Sequence, residues 1–299
     1  MSEAVGFFPK KRMRLFDATS ARQYSPSFSL ALTAPLILLL AFSFLYPVGR
    51  LLWMSVATPD GFTAEHYLRV WNQPLYLNIL WRTIQLALVV TVASFLLAYP
   101  VAYAMTLVKN RWAAVMTACV MIPLWTSVLV RSYAWIVLLQ RNGIINNLLR
   151  DGGVISDPLH MLYTEGSVMI AMTHNLLPFM ILPIYSALNT IPPELARAAR
   201  NLGAGPIQAF FRITLPLSLP GVYAGSLMTF ILALGFYITP ALVGGPRTLM
   251  MATLIGQQAT DLLNWPFAAA LSGVLLAATL LLVAIFRKTL SLNKGGQFG

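Results

Sequence analysis

Long apolar runs dominate the chain, and their length predicts helices that cross a membrane. Six mainly apolar runs are separated by shorter polar segments, and they cover residues 29–55, 79–108, 113–139, 166–188, 217–240 and 265–286. About 20 such residues are needed for a helix to cross the hydrocarbon. Lipid offers no hydrogen-bond partners, so only helices and closed barrels can span it, and long runs without alternation favour helices. The predicted fold is therefore all-α, an integral membrane bundle of about six transmembrane helices.

Prolines fall inside most of these runs, which predicts bent helices. They are Pro35, Pro47, Pro100, Pro123, Pro178, Pro183 and Pro220. Each proline frees a carbonyl, which membrane helices tolerate when neighbouring groups bond it. A bundle with this many bends fits a lined pathway better than a simple anchor.

Composition supports a membrane protein, and the distribution of charge indicates its orientation. The chain is 58% hydrophobic and only 10% charged, with a net charge of +11, whereas soluble domains carry about 25% charged residues. With the N-terminus inside, the inner segments hold 13 of the 20 basic residues: five in 1–28, two in 109–112, three in 189–216 and three in 287–299. Cytoplasmic loops carry such an excess. Both termini are predicted to be cytoplasmic, and no nucleic-acid partner is needed to explain the charge.

This orientation gives the domain plan. A cytoplasmic tail (1–28) precedes a six-helix domain (29–286), and a second cytoplasmic tail (287–299) follows. The first apolar run is longer than the roughly 7–15 residues of a cleavable signal, so it is predicted to be an uncleaved first helix. The outer loop 140–165 contains a short amphipathic stretch at Ile144–Leu149, and the outer loop 241–264 begins with a Gly-Gly-Pro turn. These loops are either plain connections or docking surfaces for an external partner.

The inner segment 189–216 is predicted to contain a short cytoplasmic helix. Proline fits a first helical position, so Pro193 can begin the helix, and Glu194 then lies in the first turn, where the helix dipole favours an acid. An apolar, mostly small face recurs at helical spacing, and it consists of Leu195, Ala198, Ala199 and Leu202. Arg197 and Arg200 point elsewhere. Gly203 and Gly205 are expected to end the helix.

A second short helix is expected from Pro206 through Phe211, after which Ile213–Pro216 returns the chain to the membrane. The small-residue face of the first helix fits a groove in another protein, because alanine and glycine allow close backbone approach. The alternative from composition alone is an amphipathic helix on the membrane surface.

The spacing of this loop resembles a known family. Ala198-Ala199, three residues, Gly203, nine residues, Ile213, one residue and Leu215-Pro216 match the coupling loop of ABC-importer permeases, usually written EAA-x3-G-x9-I-x-LP. One position departs, since Arg197 stands where the family has Glu, and Glu194 lies one turn earlier. Segments 124–146, 176–188 and 261–272 resemble the first permease of spermidine/putrescine importers.

The resemblance implies a fold, partners and a location. It implies the type I permease fold in a bacterial inner membrane, with a second permease completing the pore and a dimer of ATPase subunits docking on the loop 193–216. A periplasmic solute-binding protein would deliver a polyamine or a related amine-bearing solute. ATP and Mg²⁺ would be bound by the ATPase, so this chain would hydrolyse nothing and bind no cofactor. Consistently, the sequence has no G-x4-G-K-[ST] phosphate loop and no HExxH or CxxC metal spacing.

Polar and aromatic side chains inside or near the ends of the runs are candidates for a solute path, because polar groups are costly in lipid. They are Trp125, Arg131, Tyr133, Trp135, His174, Asn175, Tyr237 and Asp261. Ordinary structural roles are the alternative: Arg131 can snorkel to the interface, His174 and Asn175 can bond a neighbouring helix, and aromatic residues populate interfacial belts. No acidic residue lies well inside a run; Glu165 and Asp261 are nearest.

Two other functional classes fit the sequence less well. A membrane-embedded enzyme needs convergent ionisable residues, and His174 with Asn175 lacks a carboxylate or metal-ligand partner. A stand-alone secondary transporter favours an internal repeat and titratable groups at midplane, and the sequence shows neither.

Overall fold

The computed structural model describes residues 26–58 and 61–294. The predicted N-terminal tail lies outside the described residues as far as residue 25, as do the last five residues of the C-terminal tail. The helices are α1 Pro26–Leu40, α2 Tyr46–Met54, α3 Glu65–Asn72, α4 Pro74–Leu107, α5 Asn110–Trp125, α6 Val128–Leu139, α7 Ile144–Asp151, α8 Glu165–Asn189, α9 Pro193–Asn201, α10 Pro206–Ala209, α11 Leu215–Leu234, α12 Ile238–Val243, α13 Met251–Thr260 and α14 Trp265–Lys294.

Shorter elements complete the described chain. Two π-helical segments, Ala41–Leu45 and Phe210–Thr214, join α1 to α2 and α10 to α11, and a 3₁₀ turn covers Pro246–Thr248. Strands β1 (Ala57–Thr58) and β2 (Gly61–Phe62) form one small antiparallel hairpin, with Ala57 opposite Phe62.

The chain divides into two packing units, residues up to Leu51 and residues from Leu52 onward. In the first unit, helix α1 contains Pro35 and continues through the π-helical segment into α2, where Pro47 lies in the first turn. Proline cannot donate to the preceding turn, and a π bulge is one way in which a helix accommodates it. The stretch Ala31–Met54 is apolar enough to span a membrane.

In the second unit, helix α8 packs between α4 and α11. Two buried clusters fill this contact. One cluster joins the first halves of α4 and α8 to the end of α11, through residues that include Ala87, Met172 and Ala233. The other joins the second halves of α4 and α8 to the first half of α11, through residues that include Ala102, Ile184 and Val222. In the most apolar stretch of α8, 61% of the residues are buried inside the chain, whereas in that of α14 only 17% are buried. Helix α8 is therefore the central element of this unit.

Glycines let α11 approach α8 closely. A Cβ atom added at Gly221 would clash with the Cβ of Ala187 and would lie 2.6 Å from the carbonyl oxygen of Pro183. Lipid gives no hydrophobic force between helices, so membrane helices associate through small residues that bring backbones together. Gly221 meets this requirement where the two helices contact.

A second group of helices packs around Phe267 of α14. The ring of Phe267 stacks edge-on against Tyr76 of α4 at 5.2 Å, and the guanidinium of Arg69 from α3 lies 4.5 Å from its centroid. Met251 of α13 belongs to the same buried cluster. The long helices α4 and α14 are thus joined to the connecting helices α3 and α13.

The prediction of about six spans is confirmed. Within the described residues, five helical stretches can each cross a membrane, and the pair Asn110–Trp125 and Val128–Asp151 brings the number to six when it is counted as one span. The predicted run 113–139 is not one continuous helix: α5 ends at Trp125 and this pair is bent by 96°, close to Pro123, where the sequence predicted a bend. At the bend, the amide and the hydroxyl of Thr126 both donate to the carbonyl of Pro123, at 3.3 and 2.9 Å. A side chain that binds a backbone carbonyl competes with the helix ladder.

The fifth span also differs from its predicted limits of 217–240. It begins at Pro206 and ends at Leu234, so α10, the π-helical segment and α11 are continuous and no helix ends at Phe211. The amide of Leu215 donates to the carbonyl of Phe210, five residues back. This wider turn lets the helix continue past Pro216, which has no amide to donate. The amphipathic stretch Ile144–Leu149 in the loop 140–165 lies in helix α7, and the connecting helices α3 and α13 were not predicted.

We predict that Gly221→Ala destabilises the bundle although alanine is the better helix former. Alanine gains about 1 kcal/mol of helix propensity over glycine, but the added methyl group overlaps the backbone of α8, and overpacking costs about 1–3 kcal/mol. The thermal unfolding midpoint in detergent should fall. Gly235→Ala is the matched control, since nothing lies within 4 Å of a Cβ atom there and its midpoint should not fall. An unchanged or higher midpoint for Gly221→Ala would contradict the packing argument.

Candidate functional site

The loop between α8 and α11 begins with helix α9, whose start follows the predicted chemistry. Pro192 is the N-cap in an extended conformation, Pro193 is the first helical residue and Glu194 lies in the first turn. The side chains of Glu194 and Arg197 are both exposed, and neither forms a salt bridge with another described residue. Both charges are therefore available to a partner.

Gly203 ends helix α9 in a left-handed conformation, with φ of +88°. The amide of Gly203 donates to the carbonyl of Arg200, and the amide of Ala204 donates to the carbonyl of Ala199, each at 3.0 Å. This pair of bonds is the Schellman motif, which usually needs glycine because L-residues are strained at positive φ. Gly205, in contrast, has φ of −66°, which any residue can adopt.

The predicted apolar face of α9 is accessible. Leu202 is 89% exposed and Leu195 is 43% exposed, while Ala198 is exposed and Ala199 is half-buried. A groove of about 500 Å³ lies beside this face, between α9 and the start of the fifth span. It is lined by Ala199, Leu202, Gly203, Ala204, Gln208, Ala209, Arg212 and Ile213. Three residues of the sequence motif, at 199, 203 and 213, thus line one concave surface.

The second half of the loop is anchored in the bundle. Ala209 is buried, and Ile213 and Leu215 are half-buried, whereas Pro216 is exposed. Helix α9 packs against α10 and the π-helical segment. The loop therefore has one exposed half, α9, and one half that is continuous with a membrane span.

Polar side chains from three helices meet inside the bundle. The hydroxyls of Ser132 (α6) and Thr239 (α12) lie 2.9 Å apart, and the side-chain amide of Asn175 (α8) donates to the Thr239 hydroxyl at 3.0 Å. Asn175 is only 2% exposed, and its Oδ1 atom has no hydrogen-bond partner among the described residues. We call Ser132, Asn175 and Thr239 the polar cluster.

Three predicted path residues adjoin the polar cluster. The indole N–H of Trp135 donates to Nδ1 of His174 at 3.4 Å, and their rings meet edge-on at 5.7 Å. Arg131 precedes Ser132, and its Nε and Nη1 atoms are buried without a hydrogen-bond partner in the part of the chain that is described. The structure thus places Arg131, Trp135, His174 and Asn175 around one junction of α6 and α8.

The other four candidates make none of these contacts. Trp125 is 80% exposed at the end of α5, and Tyr133 is exposed on α6. The ring of Tyr237 packs against Gly256, where an added Cβ atom would lie 2.5 Å from the ring. Asp261 caps the end of α13, where it accepts a bond from Thr260 at 2.9 Å. None of the described hydrogen bonds or ring contacts joins these four residues to the polar cluster.

Sequence reasoning missed Ser132 and Thr239, although both lie in apolar stretches where a hydroxyl is conspicuous. The carboxylate nearest to a span, Glu165, pairs with Arg82 of α4 at 3.3 Å. Among the described residues no group of three or more His, Cys, Asp or Glu side chains could hold a metal ion.

Solved structures show which class of fold this is. The chain matches a chain of a bacterial alginate ABC transporter in complex with an alginate pentasaccharide-bound periplasmic protein, with a TM-score of 0.69 and 19% identity over 87% of this chain and 92% of that one. It matches a chain of the MetNI methionine ABC transporter with a TM-score of 0.52 and 19% identity, over 71% and 91% of the two chains. The fold is that of a type I ABC importer permease.

Sequence comparison shows the family. Residues 91–291 match the model of the binding-protein-dependent transport system inner membrane component. The spermidine/putrescine transport system permease protein PotB of Haemophilus influenzae is 36% identical over 85% of this chain and 92% of the relative. The inner membrane ABC transporter permease protein YdcU of Escherichia coli is 35% identical over 79% and 80%. The chain belongs to this family of inner membrane components and is a permease of an ABC importer.

We predict that Gly203→Ala loosens the end of α9. Nothing lies within 4 Å of a Cβ atom at this position, so the cost is backbone strain of about 1–2 kcal/mol. If local opening governs amide exchange, the amides of residues 202–204 should exchange about 5- to 30-fold faster with deuterium. Exchange measured by mass spectrometry checks this.

Two matched variants separate strain from the loss of glycine as such. Gly203→Asn should exchange more slowly than Gly203→Ala, because asparagine tolerates the left-handed conformation better. Gly205→Ala should leave exchange unchanged. Equal exchange in Gly203→Ala and the wild type would contradict the capping role.

Proposed function

We propose that this chain forms half of the pore of an ATP-driven importer and couples to its ATPase through the loop 193–216. The observation that carries the proposal is the exposed, Gly203-capped helix α9, which lies beside a groove and packs against the segment that begins a membrane span. A second permease completes the pore, a dimer of ATPase subunits binds ATP and Mg²⁺, and a periplasmic binding protein delivers the solute. In this scheme the chain itself catalyses no reaction.

The surface of α9 fits a protein groove. Its apolar residues Leu195, Ala198 and Leu202 lie on one helical face, while Arg197 lies on the opposite one, as follows from about 100° of rotation per residue. A small, accessible apolar face permits close approach by a partner backbone. We assign the docking contacts to Leu195, Ala198, Ala199, Leu202 and Gly203, with Glu194 in place of the acid that the family carries at position 197.

The orientation follows from the same assignment. The ATPase works in the cytoplasm, so the loop 193–216 must be cytoplasmic, and six spans then place both termini on that side. The excess of basic residues in the inner segments agrees with this topology. The chain would lie in a bacterial inner membrane.

For the solute we propose a polyamine or a related amine-bearing compound. The PotB relatives carry spermidine/putrescine in their names. In this chain, the unpartnered Oδ1 of Asn175 can accept a bond from an amine, and the nearby ring of Trp135 offers an aromatic face to a cation. Because no carboxylate joins the polar cluster, selection among amines would rest mainly on the binding protein and the second permease.

We predict that Ala198→Trp abolishes binding of the ATPase without unfolding the permease. Ala198 is exposed, so the indole meets no part of this chain but blocks close approach by a partner. Co-purification of the ATPase encoded beside this chain should fall, while detergent-solubilised yield stays constant. Ala198→Ser is the matched control and should retain the ATPase. If Ala198→Trp still retains the ATPase and stimulates its hydrolysis, the docking assignment is wrong.

We also predict that the binding protein encoded beside this chain is stabilised by spermidine or putrescine. A ligand that binds only the folded state at a hundred times its dissociation constant stabilises by about 2.7 kcal/mol. The unfolding midpoint should rise with each amine, and it should not rise with matched uncharged diols. Stabilisation by an unrelated solute alone would overturn the polyamine assignment and leave the importer assignment intact.

A further inference from the structure

We infer that Phe210 is the positioning residue that transmits movement of the docking helix α9 to span α4, together with Tyr99 and Tyr103. We call these three residues the aromatic key. The inference rests on the proposed coupling function of the loop 193–216, and it assigns a path for that coupling inside this chain.

The geometry of the aromatic key is a set of edge-on ring contacts. The centroid of Phe210 lies 5.7 Å from that of Tyr99, with an interplanar angle of 87°. It lies 5.2 Å from Tyr103, with an angle of 71°. Tyr99 and Tyr103 are one helical turn apart on α4, so Phe210 fits between two successive turns. Edge-on pairs of this kind are directional as well as apolar.

A buried hydrogen bond joins α4 to α11, directly after the π-helical segment. The hydroxyl of Tyr99 lies 2.8 Å from that of Ser218, and both residues are buried. The Ser218 hydroxyl also lies 2.9 Å from the carbonyl of Leu215, to which it donates. The side chain of Tyr99 on α4 therefore bonds Ser218 of α11 and also contacts the ring of Phe210.

Phe210 lies between the docking helix α9 and helix α11, so its contacts with α4 are on the route by which movement of α9 would reach the span. Phe210 opens the π-helical segment Phe210–Thr214, and its carbonyl accepts from Leu215 across the wide turn. Such segments are rare and are often found at functional sites. On the N-terminal side, α9 packs against this segment and lies largely exposed. A displacement of α9 therefore reaches the span through the π-helical segment, and the aromatic key links that segment to α4.

Phe211 provides an internal control. Its ring contacts Phe210 at 5.1 Å, but it is 59% exposed. The neighbouring phenylalanines thus share size, chemistry and backbone, and they differ in whether they contact α4.

The test uses the complete importer, with this chain, its partner permease, the ATPase dimer and the binding protein reconstituted in liposomes. Solute uptake per ATP hydrolysed is measured with radiolabelled spermidine and with phosphate release. Phe210→Ala should lower this ratio by about threefold or more, the scale of mutations that disturb coupling between sites. Assembly with the ATPase and hydrolysis without the binding protein should persist. Phe211→Ala should leave the ratio unchanged.

Further variants keep the test decisive if Phe210→Ala fails to assemble. Phe210→Leu retains apolar bulk without ring geometry and should also lower the ratio. Tyr99→Phe and Ser218→Ala each remove one partner of the same hydrogen bond, so the double variant should couple no worse than either single variant. An unchanged ratio in Phe210→Ala or in Phe210→Leu, or an equal loss in Phe211→Ala, overturns the inference. If the wild-type assembly takes up neither spermidine nor the solute that stabilises its binding protein in an ATP-dependent way, the proposed function is overturned instead.

Discussion

The close approach of α11 to α8 is the constraint on which the rest of this structure depends. In lipid, apolar side chains gain nothing by leaving their surroundings, so helices associate through packing at short range and through hydrogen bonds between them. Gly221 provides the short range, since even a single methyl group there would overlap α8. Two features of the second unit then follow. The loop that joins α8 to α11 has both of its ends held at a fixed separation, and the polar side chains of α8 are held against their partners on neighbouring helices.

The loop shows how one segment can be both accessible and rigidly connected. Helix α9 ends in a Schellman cap at Gly203, so carbonyls of its last turn are bonded within the loop, and its apolar face is left exposed. The following π-helical segment is held by ring contacts, and α11 directly after it is held by a buried hydrogen bond. An exposed surface on a firmly attached element is what a partner needs in order to move a membrane helix.

The polar cluster is held together by the same need for hydrogen-bond partners. A hydroxyl can both donate and accept, so Thr239 can bond Ser132 while it accepts from the side-chain amide of Asn175. The Ser132 hydroxyl is also bonded within its own helix, to the carbonyl of Val128. One oxygen of Asn175 remains without a partner among the described residues, beside the Trp135–His174 pair. An unsatisfied acceptor in a membrane bundle is costly, and this one lies at the junction of α6 and α8. Trp125 and Asp261, which residue type alone predicted to belong to a solute path, make no described hydrogen bond or ring contact with the polar cluster.

The sequence by itself determined the class of fold, the approximate spans and the glycine-capped helix α9, because these depend on local properties. Apolar length determines a span, and the left-handed conformation at Gly203 needs glycine wherever the helix is placed. Tertiary structure decided what depends on contacts between distant residues and on the geometry of a bend. Pro123 predicted a bent helix but not the size of the bend, which is 96° after Trp125. Ser132 and Thr239 are 107 residues apart, and only the packing of α6 against α12 makes them partners.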